Sequence, residues 1–425
     1  MTTTPPQLSV VIPALNEGDN IGPLLERLRR TITALGTATE IIVVDGGSKD
    51  QTWEVAEKFG ARCILQRGPG YASALLEGVQ AALGAYIVTL DSDLSHPPEL
   101  LKDLWPARTE ADVIIASRFI PGGSSEAPLM RHSLSRILNG MFSIGLSIPV
   151  GDSSSGYRLY KREALNLATY RPQNFNVLQE MLVRAYTAGF KVKEIPLNYE
   201  ERASGSSHVS FVTFAASYVP TFYRLWKLRN LVATADYEYR SYWSRHLLQR
   251  YWIRKRLSLI REFLGASKRM LDIGSGSNYL AATLPGLVAV DIEPQKVRFL
   301  SRLGVQAQVA DAERLPFSNG SFDRVIMSQL LPYVEHVDTA IKEASRVLAP
   351  GGRAIVCVPD SQRFAWGIFG ALYQMLPNVR ASETKMATPF TRASLVDTFA
   401  AHGFRGLEYH YICGAELVML FQKEG

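Results

Sequence analysis

The chain has 425 residues, 47% of them hydrophobic and 20% charged, which excludes a disordered polyelectrolyte and exceeds what one hydrophobic core usually serves. Its net charge of +6 is a mild basic bias, compatible with anionic ligands or an anionic membrane surface and too small to indicate nucleic acid. Three widely separated cysteines, Cys63, Cys357 and Cys413, exclude a disulfide framework and a cysteine zinc site and suit a reducing compartment.

In chain order, MTTTPPQLSVVIP has no basic region followed by an apolar run, so no signal peptide is expected. LSVVIPAL predicts a strand running into a loop, and Asn20 to Leu35 carries apolar residues at helical spacing. EIIVVDGGS is a buried strand ending in acid and glycine. ARCILQR, AYIVTLDSD and ADVIIASRF follow. Strands alternating with helices predict a parallel, doubly wound sheet, whose ligands bind at the carboxyl ends of strands. Asp45, Asp91 and Asp93 fall at such ends. The stretch VSFVTFAASYVPTFY, 209 to 223, is the longest uncharged apolar run. It is shorter than the ~20 residues a membrane-spanning helix needs and contains Pro220.

Residues 224 to 262 are rich in Arg, Trp and Tyr, with Tyr239, Trp243, Leu247 and Tyr251 near helical spacing. The expected role is a helical connector packing on the second domain; the alternative is a basic aromatic surface touching membrane headgroups. A second α/β series starts near residue 268. KRMLDIGSGSNYL reads as strand, glycine turn and helix start, and LVAVDIEP as a strand ending in Asp291. VQAQVADAERLPF ends near Asp311, and FDRVIMSQLL and GGRAIVCVP are two more strands. The two series share no motif, so they predict different domains, at 1–232 and 263–425, with the connector at 233–262. Residues 361 to 425 are expected to cover the substrate pocket of the second domain. His336 reads as a structural residue at a helix start.

The stretch LDSDLSHPPE raises the first chemical question. On an extended strand, residues two apart point the same way, so Asp91 and Asp93 converge. Paired carboxylates need relief, most simply from a hard divalent cation with oxygen ligands. Alone, D-x-D is as well explained by two turn or helix-capping aspartates before Pro97.

It is accompanied by VVIPALNE, VVDGGSKDQT, IASRFIPGG, DSSSGYRLY, QEMLVRA and ERASGSSH. In order and spacing this set resembles the inverting nucleotide-sugar glycosyltransferases of GT-A fold, in the polyprenyl-phosphate sugar synthase branch typified by dolichol-phosphate mannose synthase. The resemblance covers about residues 8 to 230. It implies that Pro13, Asn16 and Glu17 line the nucleotide pocket and that Asp45 reads the base. It further implies that Asp91 and Asp93, with Ser95, position the donor and hold Mg²⁺ or Mn²⁺. Arg118 and Arg202 would meet phosphate oxygens. Two positions depart from the family pattern: Gly46 replaces the second Asp of V-D-D-G-S, and His208 follows Ser207 where Lys is common. RHSLSRILNGMF, 131 to 142, resembles the acceptor stretch of the same branch. Arg131 and Ser135 lie four apart on one helix face, and Leu134, Ile137, Leu138 and Met141 on another. This implies a polyprenyl phosphate acceptor, with Arg131 joining Asp91, Asp93 and Arg118 in the transfer, and a peripheral position on the cytoplasmic face of a membrane.

LDIGSGSN, Asp291 about twenty residues on, and the later LPFSNGSFDRVIMSQLLPYVEHV and EASRVLAPGG resemble class I S-adenosylmethionine-dependent methyltransferases. The resemblance implies cofactor binding by Asp272, Gly274, Gly276, Asp291, Asp311 and Ala312, with Asn278 in place of the third glycine. A nicotinamide site is disfavoured by Asp272 ahead of the glycines and by the late APGG hairpin. The expectation is two Rossmann-like domains, a GT-A glycosyltransferase followed by a methyltransferase. The chain would be a bifunctional transferase that moves mannose or glucose from a nucleotide sugar to a polyprenyl phosphate and methylates a related substrate. The rival readings are a glycan or protein acceptor, which would need no Arg131–Ser135 phosphate site, and a methyltransferase half that only binds cofactor or acts as a scaffold.

Overall fold

Seven consecutive buried residues, Leu8–Ala14, form β1 of the computed structural model. A run buried on both faces suits a central parallel strand covered by helices on each side. The structure describes residues 5–126, 129–166, 170, 176–200, 211–374 and 386–424. It divides into two units: Met1–Tyr186 with Phe190–Arg229, and Thr187–Gly189 with Asn230–Gly425.

In the first unit, β1 is followed by α1 (Gly18–Leu35), β2 (Thr39–Asp45), α2 (Thr52–Lys58), β3 (Arg62–Leu65), α3 (Gly70–Ala81) and β4 (Tyr86–Thr89). Next come α4 (Leu101–Ala107), β5 (Val113–Ser117), β6 (Ser124–Ser125), α5 (Leu129–Leu146) and β7 (Arg158–Lys161). Then follow α6 (Val177–Thr187), β8 (Val192–Pro196), β9 (Asn198–Tyr199) and α7 (Phe211–Arg229). The sheet order is β3-β2-β1-β4-β7-β5-β8, and β6 pairs with β9. Helix α1 buries Ile21, Leu24, Leu25 and Leu28 at helical spacing and ends at Gly36 in the left-handed region. The expected parallel sheet is corrected at one strand: β7 runs antiparallel between β4 and β5. From β1 the chain builds β2 and β3 to one side and returns with β4 on the other. That reversal opens a crevice at the carboxyl ends of β1 and β4.

In the second unit, α8 (Tyr237–Ser241) and α9 (Leu247–Leu264) precede β10 (Met270–Ile273), α10 (Tyr279–Thr283), β11 (Leu287–Asp291), α11 (Pro294–Arg302), β12 (Gln306–Val309) and β13 (Phe322–Ser328). The unit continues with α12 (Val337–Val347), β14 (Leu348–Pro359), α13 (Phe364–Gln374), α14 (Arg392–Ala400), β15 (Phe404–Ile412) and β16 (Glu416–Lys423). The order β12-β11-β10-β13-β14-β16-β15 opens a second crevice at the ends of β10 and β13. Leu257, Leu259, Ile260, Phe263 and Leu264 of α9 pack with Met270, Ala289 and Leu300, so the end of the basic aromatic stretch belongs to this core. The expectation that 361 to 425 covers a pocket is corrected for its last third. β15 and β16 are sheet strands, and β16 lies antiparallel against β14 with Glu416 to Phe421 buried.

Candidate functional site

The crevice of the first unit begins where β1 ends. Asn16 has φ 54, a left-handed conformation that Asn tolerates. Its N–H donates to Ser48 Oγ and its Oδ1 accepts from the Lys49 N–H, both at 2.9 Å. The Glu17 N–H donates to Thr52 Oγ1 at 2.8 Å, and Glu17 Oε2 accepts from Asn20 Nδ2 at 2.6 Å. Asp45, the buried last residue of β2, accepts from the Ser48 N–H at 3.1 Å and from the Ser48 hydroxyl. Pro13 lies in β1 opposite Val44. Pro13, Asn16, Glu17 and Asp45 are therefore brought to one rim. At Gly46, an added Cβ would stand 3.1 Å from Gln66 Oε1. A side chain at this position would need the end of Gln66 to shift.

The carboxylate pair does not lie on an extended strand. β4 ends at Thr89, Leu94 has φ 63, and each carboxylate meets different partners. Asp91 Oδ1 accepts from the Tyr71 hydroxyl at 3.0 Å, and Asp91 Oδ2 lies 3.5 Å from His96 Nδ1. Asp93 Oδ1 accepts from the Ser95 N–H at 3.1 Å and from the Ser95 hydroxyl at 2.5 Å. Burial and the Asp91 charge push the Tyr71 phenol well above its usual pKa, which keeps it a donor. Burial lowers the pKa of His96, against the opposing pull of Asp91 and Asp93, and its ring sits between Tyr157 and Tyr199. Gly156 backs the pair: a Cβ there would stand 2.9 Å from Asp91 Oδ2.

That glycine ends the DSSSG loop, which also fixes the guanidinium. Arg118 donates from Nε to Asp152 Oδ2 at 2.7 Å, and from Nη2 to Asp152 Oδ1 and to Ser154 Oγ, both at 2.8 Å. Burial disfavours both charges, but the paired hydrogen bonds and mutual attraction outweigh it, so Arg118 is raised and Asp152 lowered. The fork expected to meet phosphate is thus largely committed to Asp152. Helix α5 joins the same loop. Asn139 Nδ2 donates to Ser154 Oγ and to the Ser135 carbonyl, both at 2.9 Å, and its Oδ1 accepts from the Ser153 N–H at 2.8 Å. Arg131 lies on the first turn of α5 and Ser135 one turn further on. Arg202, Ser207 and His208 lie outside the described residues. Asn139→Ala should cost about 1–3 kcal/mol by leaving the buried Ser153 amide without its acceptor. Thermal unfolding of the variant measures that.

Sequence reasoning assigned no role to Tyr71, His96, Asn139 or Asp152. His96, Asn139 and Asp152 stand inside the quoted motifs, so the signal was present. Tyr71 becomes visible only when α3 is laid beside β4.

In the second unit, β10 runs into Gly274 (φ 66) and Gly276 (φ 56), a backbone that glycine alone adopts readily. The space above each glycine is filled from within the protein. A Cβ on Gly274 would stand 2.6 Å from Leu330 Cδ1, and one on Gly276 3.0 Å from Glu238 Cδ. Asp291 closes the turn, accepting from the Gly276 N–H at 2.7 Å and from the Glu293 N–H at 2.9 Å. Glu238 of α8 accepts from the Ser277 N–H at 3.1 Å and pairs with Lys296 at 2.7 Å. No sequence signal marks Glu238, which lies far from the glycines in the chain. Asp311 follows β12; its carbonyl accepts from the Arg314 N–H at 3.0 Å and its carboxylate from the Glu313 N–H at 2.9 Å, and Ala312 beside it is buried. His336 Nδ1 lies 2.9 Å from Glu313 Oε2.

Asp272 is buried under the turn. Its Oδ2 accepts from Asn278 Nδ2 at 2.7 Å, and its Oδ1 has no hydrogen-bond partner among the described residues. Burial pushes its pKa up from 3.8 to about 7, against the Asn278 bond and with help from the Asp291 charge. A folded pKa raised in this way stabilises the fold most below about 3.8 and loses that contribution as pH rises through about 7. Asp291 and Glu293 are raised as well, also by burial first, and act in the same direction. The unfolding temperature of the second unit should therefore fall as pH rises over this window. Asp272→Asn should reduce the slope, and a pH series of melting curves checks it.

Each crevice lies at a strand-order reversal and is rimmed by acidic strand ends and glycine-containing turns. Two α/β folds with the crevice at the topological switch point thus share one chain. Residues 9–167 match the family model for glycosyl transferase family 2, and residues 271–356 match that of a methyltransferase domain. The chain is 31% identical over 230 residues to a dolichol-phosphate mannosyltransferase of Pyrococcus furiosus, covering 52% of this chain and 64% of that one. It is 30% identical over 209 residues to a dolichyl-phosphate hexose transferase of Haloferax volcanii, covering 49% of this chain and 90% of that one. A third relative is an undecaprenyl-phosphate 4-deoxy-4-formamido-L-arabinose transferase of Klebsiella pneumoniae, 31% identical over 222 residues, with 50% and 66% covered. The chain thus spans just under two thirds of the length of the first and third of these relatives. It belongs to glycosyl transferase family 2: a dolichol-phosphate mannosyltransferase-like domain, fused to a methyltransferase domain.

Proposed function

We propose that the first unit transfers a hexose, mannose or glucose, from a nucleotide sugar to a polyprenyl or dolichyl phosphate with inversion, and that the second methylates a related product with S-adenosylmethionine. The observation that carries the first half is the 152–156 loop. It ties the Arg118 guanidinium, the Asp91 carboxylate and the Asn139 position of α5 into one continuous site. Asp91, Asp93 and the Ser95 hydroxyl offer oxygen donors only, which suits Mg²⁺ or Mn²⁺. Among the described residues no cluster of three His, Cys, Asp or Glu forms a complete cage, so diphosphate oxygens of the donor are suited to complete the shell. When bound, the metal supplies charge stabilisation to the departing diphosphate. The loop at Asn16 and Glu17 and the Asp45 carboxylate hold the nucleotide. A phosphate monoester acceptor is already anionic, so it needs positioning more than a strong base, a task that suits Arg131 and Ser135, four residues apart on α5. Attack from the side opposite the nucleotide inverts the anomeric carbon.

A lipid acceptor is supported by the outer face of α5. Met130, Ile137, Met141 and Ile144 are exposed along one stripe, and α7, which packs on α5 through Tyr218 and Phe222, exposes Val219 and Tyr223. No helix among the described residues is long and apolar enough to cross a membrane; peripheral contact fits this stripe. For the second unit, the partnerless oxygen of Asp272 and the turn held by Asp291 suit the cationic methionine end and the ribose of S-adenosylmethionine, which supplies an electrophilic methyl group. The test is to incubate the protein with a panel of nucleotide sugars, a polyprenyl phosphate and S-adenosylmethionine, and to identify products by mass spectrometry. A hexosyl polyprenyl phosphate is expected. Transfer to glycan or protein in its place would overturn the acceptor assignment.

A further inference from the structure

Between Tyr239 and Arg261 the chain carries six arginines and one lysine and neither Asp nor Glu. The whole chain is only +6, so the rest of it is, on balance, slightly acidic. The basic character of this protein is therefore local to the segment leading into the methyltransferase core.

Helix α9, which forms most of that segment, has two different halves. Its second half is packed into the core. Its first half faces outward: Leu247 is 70% exposed and Tyr251 54%. With Arg250, Arg254 and Lys255 they line one open hollow on the helix. Arg254 lies over the rings of Tyr242 and Trp243, at 4.8 and 5.3 Å. One turn beyond the exposed Leu248, Trp252 meets Phe369 of α13 edge-on at 5.3 Å. Helix α13, FAWGIFGALYQ, has no charged residue, yet it exposes Ile368 and, at 85%, Phe364. Aliphatic, aromatic and basic side chains are thus exposed on two helices that meet at Trp252 and Phe369.

Nucleic acid would match the basic and aromatic groups but would leave Leu247, Leu248, Phe364 and Ile368 against phosphate and water. An anionic bilayer takes both kinds of group, with apolar side chains below the headgroups and guanidinium and ammonium groups among the lipid phosphates. We propose that the α9–α13 face of the second unit is a contact surface for anionic bilayers, and that the methyl acceptor is a lipid-linked sugar held in the membrane. The surface stands on the observations above. The substrate class rests in addition on the reading of the first unit as a polyprenyl-phosphate sugar transferase.

The test uses the full chain with vesicles of phosphatidylcholine, with and without phosphatidylglycerol, followed by hydrogen exchange. Peptides from 243–256 and 361–369 should exchange more slowly with anionic vesicles, and high salt should reverse part of the effect. Peptides from α5 report separately on the first unit. Protection of α5 alone overturns this surface and leaves the membrane contact of the first unit standing; protection of α9 and α13 alone leaves this surface standing and overturns the membrane contact of α5; protection of neither overturns both contacts. The triple variant Arg250→Gln, Arg254→Gln, Lys255→Gln should lower partition onto anionic vesicles by about a hundredfold, and Leu247→Ser with Phe364→Ser by about tenfold. Unchanged S-adenosylmethionine affinity shows that the variants are folded. Unchanged partition in both, or tighter binding of wild type to polyuridylate than to vesicles, overturns the surface. With methyl-labelled S-adenosylmethionine, label should appear in extracted lipid once sugar transfer has occurred. Label confined to water-soluble material, or none in lipid, overturns the substrate class.

Discussion

Asp93→Ala should lower sugar transfer by about a thousandfold or more, while S-adenosylmethionine binding by the second unit stays unchanged. The magnitude follows from what the carboxylate is asked to do. A metal clamp on a departing diphosphate is worth several kcal/mol of charge stabilisation, and each ~1.4 kcal/mol is a decade in rate. Asp93 is buried and its Oδ1 is held by the Ser95 amide and hydroxyl, so its loss leaves Asp91 as the one carboxylate of the pair. Ser95→Ala keeps the amide bond and loses only the hydroxyl, so a loss nearer about tenfold is expected. The two variants separate a metal role from a folding role, because a loop collapse would follow from either change. Excess chelator should reproduce the Asp93→Ala loss in the wild type. Full activity in chelator would sink the metal assignment.

What the sequence made legible was what local pattern encodes. Apolar runs such as Leu8–Ala14 and Val113–Ser117 are strands because every residue is buried, and a continuous apolar run reads that way without knowledge of its neighbours. The strand β7 escaped because Arg158–Lys161 is short and polar at both ends, and its partners β4 and β5 lie far back in the chain. β15 escaped for a related reason: five consecutive residues, Arg405 to Tyr409, are exposed, so burial gives it no period. Strand alternation does not reach the carboxylate pair, because β4 stops at Thr89, before Asp91; that both carboxylates act on His96 follows from the path of the loop. The partners of Arg118 and Asp291 were not legible at all. A salt bridge to Asp152 and a bond from Gly276 are facts of tertiary approach, and no residue spacing announces them.

Asp291→Ala should weaken S-adenosylmethionine binding by at least about tenfold, and Gly274→Val should abolish it. Asp291 has two tasks. Its two oxygens accept from the amides of Gly276 and Glu293 at 2.7 and 2.9 Å, and in the proposed reading the same carboxylate, at the end of β11, takes the ribose hydroxyls. Hydrogen bonds to a charged group are worth about 1.5–3 kcal/mol each, and ~1.4 kcal/mol is one decade of affinity, so losing even one of them accounts for the expected drop. Gly274→Val acts differently. The valine would need φ 66, costly for a β-branched residue, and its Cβ would stand 2.6 Å from Leu330 Cδ1. The turn must therefore shift against the protein's own packing before any ligand arrives. A paired substitution divides the two costs. Gly274→Ala with Leu330→Ala removes the clash and keeps the backbone penalty, so it should recover part of the affinity that Gly274→Ala alone loses. Calorimetric titration measures all four proteins. Sugar transfer should survive in each, since these residues belong to the second unit. Unchanged S-adenosylmethionine binding in both Asp291→Ala and Gly274→Val would mean that this turn serves another ligand.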